Sequence, residues 1–458
     1  MGGEKNSGCT GSSCPVGKDS APGTRFADLL RCNRESRRGG IYSVCSAHPA
    51  VVKAAVQQCK EDGSLLMIES TASQVNQFGG YSGMMPRQFA EYVHGVARTL
   101  SLPAEQVLLG SDHAGPFPWR NEASDSAVPK ACELVRECVL AGYQKIHLDA
   151  SMACADDGSG ALSNETIAGR AAVLCLAAEA AHRQLPAGSH QLRYVIGTEV
   201  PAPGGESAEG HPPAVTKPED VSRTLEVFRQ AFEEKGISSA WQKVIALVVQ
   251  PGVEFGANTI FDYDRSKAQL LSAVLSRHPG IVYEAHSTDY QTVRALTEMV
   301  EDHFAILKVG PALTFAFREA VLALSAIERE LFGDGSARTA SRVREALDTA
   351  MLSNPGYWRS YYRGEEEEVR RDRIYAYSDR CRYYWNQPGV QAELGRLFDN
   401  LAAKPIPLAL ISQFLPDEYE AIRSGELETS AEAMIQHRIR RVLQTYASAC
   451  SRTSKQGI

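Results

Sequence analysis

Between residues 40 and 310 the chain repeats one pattern. A short apolar run ends in polar side chains, and a longer stretch follows with apolar residues three and four apart. The runs are GIYSVCS (40–46), SLLMIES (64–70), VLLGSDH (107–113), KIHLDAS (145–151), RYVIGTE (193–199), KVIALVVQ (243–250), IVYEAHS (281–287) and FAILKVG (304–310). Runs this apolar suit strands buried on both faces. The segments between them, such as 125–143 and 165–184, suit helices with one buried face. Eight strands alternating with helices predict an α/β fold, a (β/α)8 TIM barrel over residues 26–335. An open doubly wound sheet is the alternative. No G-x-G-x-x-G follows the first run and no G-x-x-x-x-G-K-[ST] occurs, so neither a nucleotide cofactor nor a kinase is expected. Past residue 335 the pattern changes to long helical and aromatic-basic segments, which predict a mainly helical C-terminal extension over 336–458. Residues 1–25, rich in Gly, Ser and Lys, predict a disordered tail.

Composition narrows the class. The net charge is −7 and Lys and Arg are dispersed, which argues against a nucleic-acid or membrane-surface partner. No stretch approaches the roughly 18 apolar residues of a membrane span, and the N-terminus lacks the apolar core of a secretory signal. The 11 cysteines, Cys9 and Cys14 of the tail included, have no disulfide-scaffold spacing, so a reduced, cytoplasmic protein is expected.

The polar ends of the eight runs carry the candidate chemistry: Cys45 and Ser46, Glu69, Asp112 and His113, Asp149, Glu199, Gln250, Glu284 and His286, and Lys308. In a barrel these ends converge on one face, and a cluster of ionisable groups costs electrostatic energy unless something uses it. His113 and His286 read as ligands for a divalent ion, with Gln250, Glu199, Asp149 or Glu284 as oxygen donors. Asp112 follows the opposite face along a strand, but the HAGP turn can bring it to the mouth beside His113. Lys308, Gly310 and the following helix predict an anion site, with Ser287 and Thr288 beside it. The loop 73–84 offers Asn76 and Gln77 to sugar hydroxyls, and 198–210, with Gly204, Gly205 and Glu206, reads as a lid or a surface loop. His147 shares a face with Asp149 and is assigned to the core. Arg380 and Arg382 in SDRCRYYW could cover a phosphate from outside the barrel.

Longer motifs then point to a family. YSVCSAHPAVVKAA, ESTASQVNQFGGYSGM, GSDHAGPFPW, KIHLDASMACADD, YVIGTEVPAPGGE, VVQPGVEF, VYEAHSTDYQT and HFAILKVGPALTFAFREA resemble the Z subunit of class II D-tagatose-1,6-bisphosphate aldolase, and SDRCRYYW and PLALISQFLP extend the match. The resemblance implies a role in galactitol or galactosamine breakdown, as a non-catalytic barrel that stabilises and activates a separate aldolase subunit. That family is itself similar to the zinc-dependent class II aldolases, whose pattern Asp112-His113, Glu199, Gln250, His286 and Lys308-Val309-Gly310 follows in order. The resemblance implies Asp112 and Glu199 as proton carriers and His113, Gln250 and His286 as metal ligands, Gln250 standing where a zinc histidine is expected. Asn76, Gln77, Asp149, Glu284, Ser287, Lys308, Gly310 and Arg380 are read as groups for a ketose phosphate. The expected cofactor is a divalent metal, Zn2+ or Mn2+. The expected activity is a 4-epimerase acting on tagatose or fructose phosphates by retro-aldol chemistry, with the non-catalytic subunit as the alternative, an aldolase-type lyase active alone as a third reading, and homo-oligomer formation left open.

Overall fold

The computed structural model describes residues 21–198, 200, 212–333 and 339–451. Its strands are β1 (Ile41–Cys45), β2 (Leu66–Thr71), β3 (Val107–Ala114), β4 (Lys145–Leu148), β5 (Arg193–Ile196), β6 (Val244–Val248), β7 (Glu254–Phe255), β8 (Ile260–Phe261), β9 (Val282–Ala285) and β10 (Phe304–Val309). Eight of them, β1 to β6 with β9 and β10, are parallel and close into a barrel, β10 pairing back onto β1. Each predicted run supplies one barrel strand, and the fold is a TIM barrel. The sheet stops short of the polar residues that end most runs. β4, for example, stops at Leu148 and releases Asp149 into the mouth. The antiparallel pair β7–β8 is an insertion that the periodicity did not predict, because two-residue strands leave no alternation to read.

Two apolar cores hold this arrangement. The inside of the barrel's lower half is filled by Ile41, Met67, Leu108, Val195, Ala246, Val282 and Ile306. Phe26 and Leu30, from the helix Pro22–Ser36, plug it from below. That helix begins within the segment 1–25 expected to be a tail, of which residues 1–20 lie outside the described residues. The second core lies between the strands and the outer helices and runs without a break into the C-terminal helices. Side-chain caps start several helices: Ser163 accepts from the Thr166 N–H, Thr292 from Ala295 and Ser430 from Ala433.

The C-terminal helices wrap the barrel. The last one, Ala431–Cys450, lies against the helices Pro49–Asp62 and Pro311–Leu331. The Tyr446 hydroxyl donates to the Thr288 carbonyl at 2.7 Å. A buried Arg318–Asp379 pair at 2.5 Å, with Arg318 also donating to the carbonyls of Tyr375 and Ala376, fixes residues 375–385 over the mouth. The expected boundary between barrel and extension at residue 335 lies outside the described residues.

Candidate functional site

β3 delivers two consecutive side chains to the same mouth, which a regular strand cannot do. Two features explain it. The register between β3 and β4 shifts between Ser111 and Ala114, and His113 has a left-handed φ of +48°. A bulge of this kind re-aims a side chain, and a non-glycine residue holds positive φ only where its surroundings enforce it. Ser287, next to His286, also has positive φ, at +53°.

Three imidazoles meet below this turn. The ring centroids of His113, His147 and His286 stand 5.2, 4.9 and 5.1 Å apart, nearly an equilateral triangle. Each ring has a carboxylate. His113 Nδ1 lies 2.7 Å from Asp149, His147 Nδ1 3.3 Å from Asp112, and His286 Nε2 3.0 Å from Glu284. Burial pulls His286 down to about 4 against the opposing pull of Glu284, so its ring is neutral at neutral pH. Burial also acts to lower His113, but Asp112 and Asp149 outweigh it and hold that ring above its ordinary value.

Beneath the rings lies a buried ion network. Lys145, with no exposed surface, bridges Glu69 and Glu284 at 2.7 Å each. Lys308 pairs with Glu69, with Asp112 at 3.0 Å and with Glu284 at 3.8 Å. Burial alone would raise the Asp112 carboxyl, but His113, Lys308 and His147 hold it well below the usual carboxylate range. Four carboxylates (Glu69, Asp112, Asp149, Glu284) face two lysines, which leaves two negative charges before any histidine is protonated.

The cluster can hold a metal ion. Asp112, His147, Glu284 and His286 present ligand atoms within 4.8 Å of one another. His113 packs against this group, its ring centroid 5.2 Å from that of His147 and 4.9 Å from that of His286, but its own Nδ1 is turned to Asp149. His147 Nε2 is buried and has no hydrogen-bond partner. The His113 backbone N–H donates to Nδ1 at 3.2 Å, which in the neutral ring puts the proton on Nε2, and a cation there would take that proton's place. The two uncompensated negative charges match a divalent ion.

Above the cluster opens a cavity of about 420 Å³, whose lining includes Asp112, His113, His286, Ser287, Lys308 and Gly310. Its rim comes from Arg120, from Tyr81 in the loop after β2, and from Tyr361, Arg380, Arg382 and Tyr383 of the C-terminal extension. Arg380 stacks on Tyr361 at 3.0 Å from the ring centroid and donates to the Tyr357 carbonyl. Arg382 donates to the carbonyls of Ser378 and Asp379 and to the Tyr383 hydroxyl.

Several expected site residues sit elsewhere or are otherwise engaged. Gln250 does not line the cavity; its Oε1 accepts the Gly252 N–H at 2.8 Å and shapes its own turn. Gln77 points outward to the Lys130 carbonyl, and Asn76 spends its amide on Ala72, Phe78 and Gly80 within its loop. Asp149 backs His113, and Glu284 lies under the rings. Lys308 faces carboxylates, and the helix N-terminus beside it is filled: Asp289 accepts the N–H groups of Gly310 and Ala312 at 3.0 and 2.8 Å. That carboxylate takes the place expected for a bound anion. Glu199, and Gly204, Gly205 and Glu206 of the expected lid, lie outside the described residues.

The sequence reading missed His147 and Lys145. The signal was present, since alternation in KIHLD sends residues 145, 147 and 149 to one face. It also missed Asp289, whose role depends on a contact with the next strand's helix.

Gly115 shows how tightly the turn after β3 is pressed onto the site. A Cβ there would lie 1.5 Å from the Asp149 carbonyl oxygen. Gly115→Ala is therefore expected to cost roughly 2–3 kcal/mol and to displace Asp149 from His113. Denaturant titration reads the first effect, and a loss of less than about 0.5 kcal/mol would contradict the packing described.

The sequence profile of the D-tagatose-1,6-bisphosphate aldolase subunit GatZ/KbaZ-like family matches residues 26–451. A solved structure described as a probable tagatose 6 phosphate kinase from Sinorhizobium meliloti 1021 is 43% identical, over 90% of this chain and 100% of that chain, with a TM-score of 0.81. A fructose-bisphosphate aldolase from Campylobacter jejuni is 14% identical over 85% of this chain and 96% of that chain, with a TM-score of 0.42, a likeness too low to support an inference. From the profile match and the shared fold, this chain belongs to the D-tagatose-1,6-bisphosphate aldolase subunit GatZ/KbaZ-like family.

Proposed function

We propose that this protein is a divalent-metal-dependent 4-epimerase that interconverts tagatose and fructose phosphates by retro-aldol cleavage and re-addition. The observation that carries the reading is the buried group of Asp112, His147, Glu284 and His286, of which Asp112 and His286 line a cavity rimmed by arginine. His147 and His286, with Asp112 and Glu284, would hold the ion, Zn2+ or Mn2+, and His113 would lie beside it. A bound divalent ion supplies Lewis-acid polarisation of the ketose C2 carbonyl.

The chain's own groups account for the rest. The Asp112 carboxylate, kept ionised by its cationic neighbours, takes the proton from the C4 hydroxyl. The C3–C4 bond then breaks, its electron pair passes into a C2–C3 enediolate, and C4 becomes an aldehyde. Rotation of the aldehyde and re-addition through its other face reform the bond, and the C4 oxygen recovers a proton. Glu199 is the proposed carrier for that second face. Arg380 and Arg382 hold the phosphate at the rim, replacing the Lys308–Gly310 cradle that Asp289 fills. Fixing the phosphate in this way retains the C4–C6 aldehyde fragment between cleavage and re-addition. The cavity volume lies in the ordinary range for a ligand of this size.

The family description as a subunit favours a second reading, a barrel that supports a separate catalytic aldolase chain. Incubating the purified chain with fructose 6-phosphate and Mn2+ or Zn2+, followed by NMR, separates the two. Tagatose 6-phosphate should accumulate, vanish with EDTA, and need at least about tenfold more substrate in Arg382→Ala, since loss of a charged hydrogen bond costs about 1.5–3 kcal/mol. No epimer from any ketohexose phosphate, with activation of an added aldolase chain, would select the second reading.

A further inference from the structure

The opposite end of the barrel holds a second cavity, of about 850 Å³, between the helix Pro22–Ser36, the starts of β1 and β2, and the end of the last helix. Three arginines line it: Arg25, Arg37 and Arg38. Arg25 is only 8% exposed, yet its Nε and Nη1 have no hydrogen-bond partner, and Nη2 makes one long contact of 3.5 Å to the Gly63 carbonyl. Gln58, 4% exposed, lines the same cavity; its Nε2 is committed to Asp62 and its Oε1 has no partner. The two acids of the lining are already engaged. Asp62 accepts from Gln58 and the Ser64 N–H, and Glu301 pairs with Arg265.

A buried guanidinium with idle donors is costly, because an unsatisfied charged donor forfeits its hydration without recompense. The planar fork of arginine suits an oxyanion better than any other ligand. Arg37 and Arg38 are exposed at the rim, Arg37 at 4.0 Å from Asp302, and add positive charge without burial cost. The idle Gln58 oxygen accepts, so it wants a donor such as a hydroxyl. The hydroxyls of Tyr42 and Ser64 complete a polar lining.

We propose that this cavity is a second small-molecule site, which binds a phosphate monoester on a hydroxylated carbon skeleton. Arg25 forms the floor of the phosphate pocket, Arg37 and Arg38 its rim, and Gln58 accepts from a hydroxyl of the ligand. The site is separated from the catalytic mouth by the apolar plug around Phe26 and Ile41, so occupancy does not require the mouth. It stands whether or not the epimerase reading holds.

Isothermal titration with inorganic phosphate and with fructose 6-phosphate tests this in the full-length chain carrying Arg380→Ala and Arg382→Ala, which disables the rim at the mouth. One saturable site per chain should remain, tighter for the sugar phosphate than for phosphate alone. Adding Arg25→Gln, or Arg37→Ala with Arg38→Ala, should weaken it at least tenfold. The rim pair is exposed, so its loss tests the site even if Arg25→Gln fails to fold. Tungstate soaked into crystals should give an anomalous peak beside Arg25. No saturable binding in the mouth-disabled chain, or binding indifferent to the rim pair, overturns the proposal.

Discussion

Replacing His147 with asparagine is expected to empty the site of its metal and to lower turnover by on the order of a thousandfold, while the barrel stays folded. The figure follows from several kcal/mol of transition-state stabilisation supplied by a bound ion, each 1.4 kcal/mol being about tenfold in rate. His147 belongs to the group that converges with Asp112, Glu284 and His286, and its Nε2 is buried without a hydrogen-bond partner. Asparagine keeps a polar group near the His113 N–H, which otherwise lies 3.2 Å from His147 Nδ1. Metal content of the purified protein and the rate with saturating Mn2+ are the readouts. The same substitution at Gln250 should leave both nearly unchanged, because that side chain is spent on its own turn. A His147 variant that retains its metal would move the ligand set elsewhere.

Lys145→Met is expected to be the most destabilising single change at the site, at about 3–5 kcal/mol. The ammonium is wholly buried between Glu69 and Glu284, and methionine preserves the volume while leaving both carboxylates without it. Coulomb repulsion between them then acts in a low-dielectric interior, with Lys308 the remaining lysine beside them among the described residues. Adding Glu69→Gln should recover part of the loss, since it removes one of the two uncompensated charges. Denaturant midpoints of the two single variants and the double variant complete the cycle. A cost below about 1 kcal/mol for Lys145→Met would mean that the network is hydrated and that its charges are not set against one another.

The barrel was legible because its signal is local. Strands buried on both faces read as apolar runs, and their polar ends mark where the sheet opens. The same logic put Asp112, His113, Glu284, His286 and Lys308 at one mouth, where the structure gathers them. What stayed hidden depends on partners far away in sequence. Lys308 looked like an anion ligand because nothing nearby shows that Glu69, 239 residues earlier, lies against it. The glycine turn before the helix Pro311–Leu331 looked open because Asp289 reaches it across strands. Gln250 aligned with a ligand position in the family pattern, but its backbone turns just past β6 and the side chain closes that turn. His147 is the instructive case: alternation along β4 placed it inward, yet only the three-dimensional cluster distinguishes a ligand from a packed core histidine.

Carrying out the epimerisation in D2O tests the central claim most directly, that the buried group of Asp112, His147, Glu284 and His286 supports metal-dependent cleavage of the C3–C4 bond. In a retro-aldol path the C4 hydrogen stays on the aldehyde carbon, so tagatose 6-phosphate formed from fructose 6-phosphate should carry protium at C4. Its formation should stop with a chelator and resume with Mn2+ or Zn2+. Deuterium at C4, or epimer formed at an undiminished rate by metal-free protein, would contradict it.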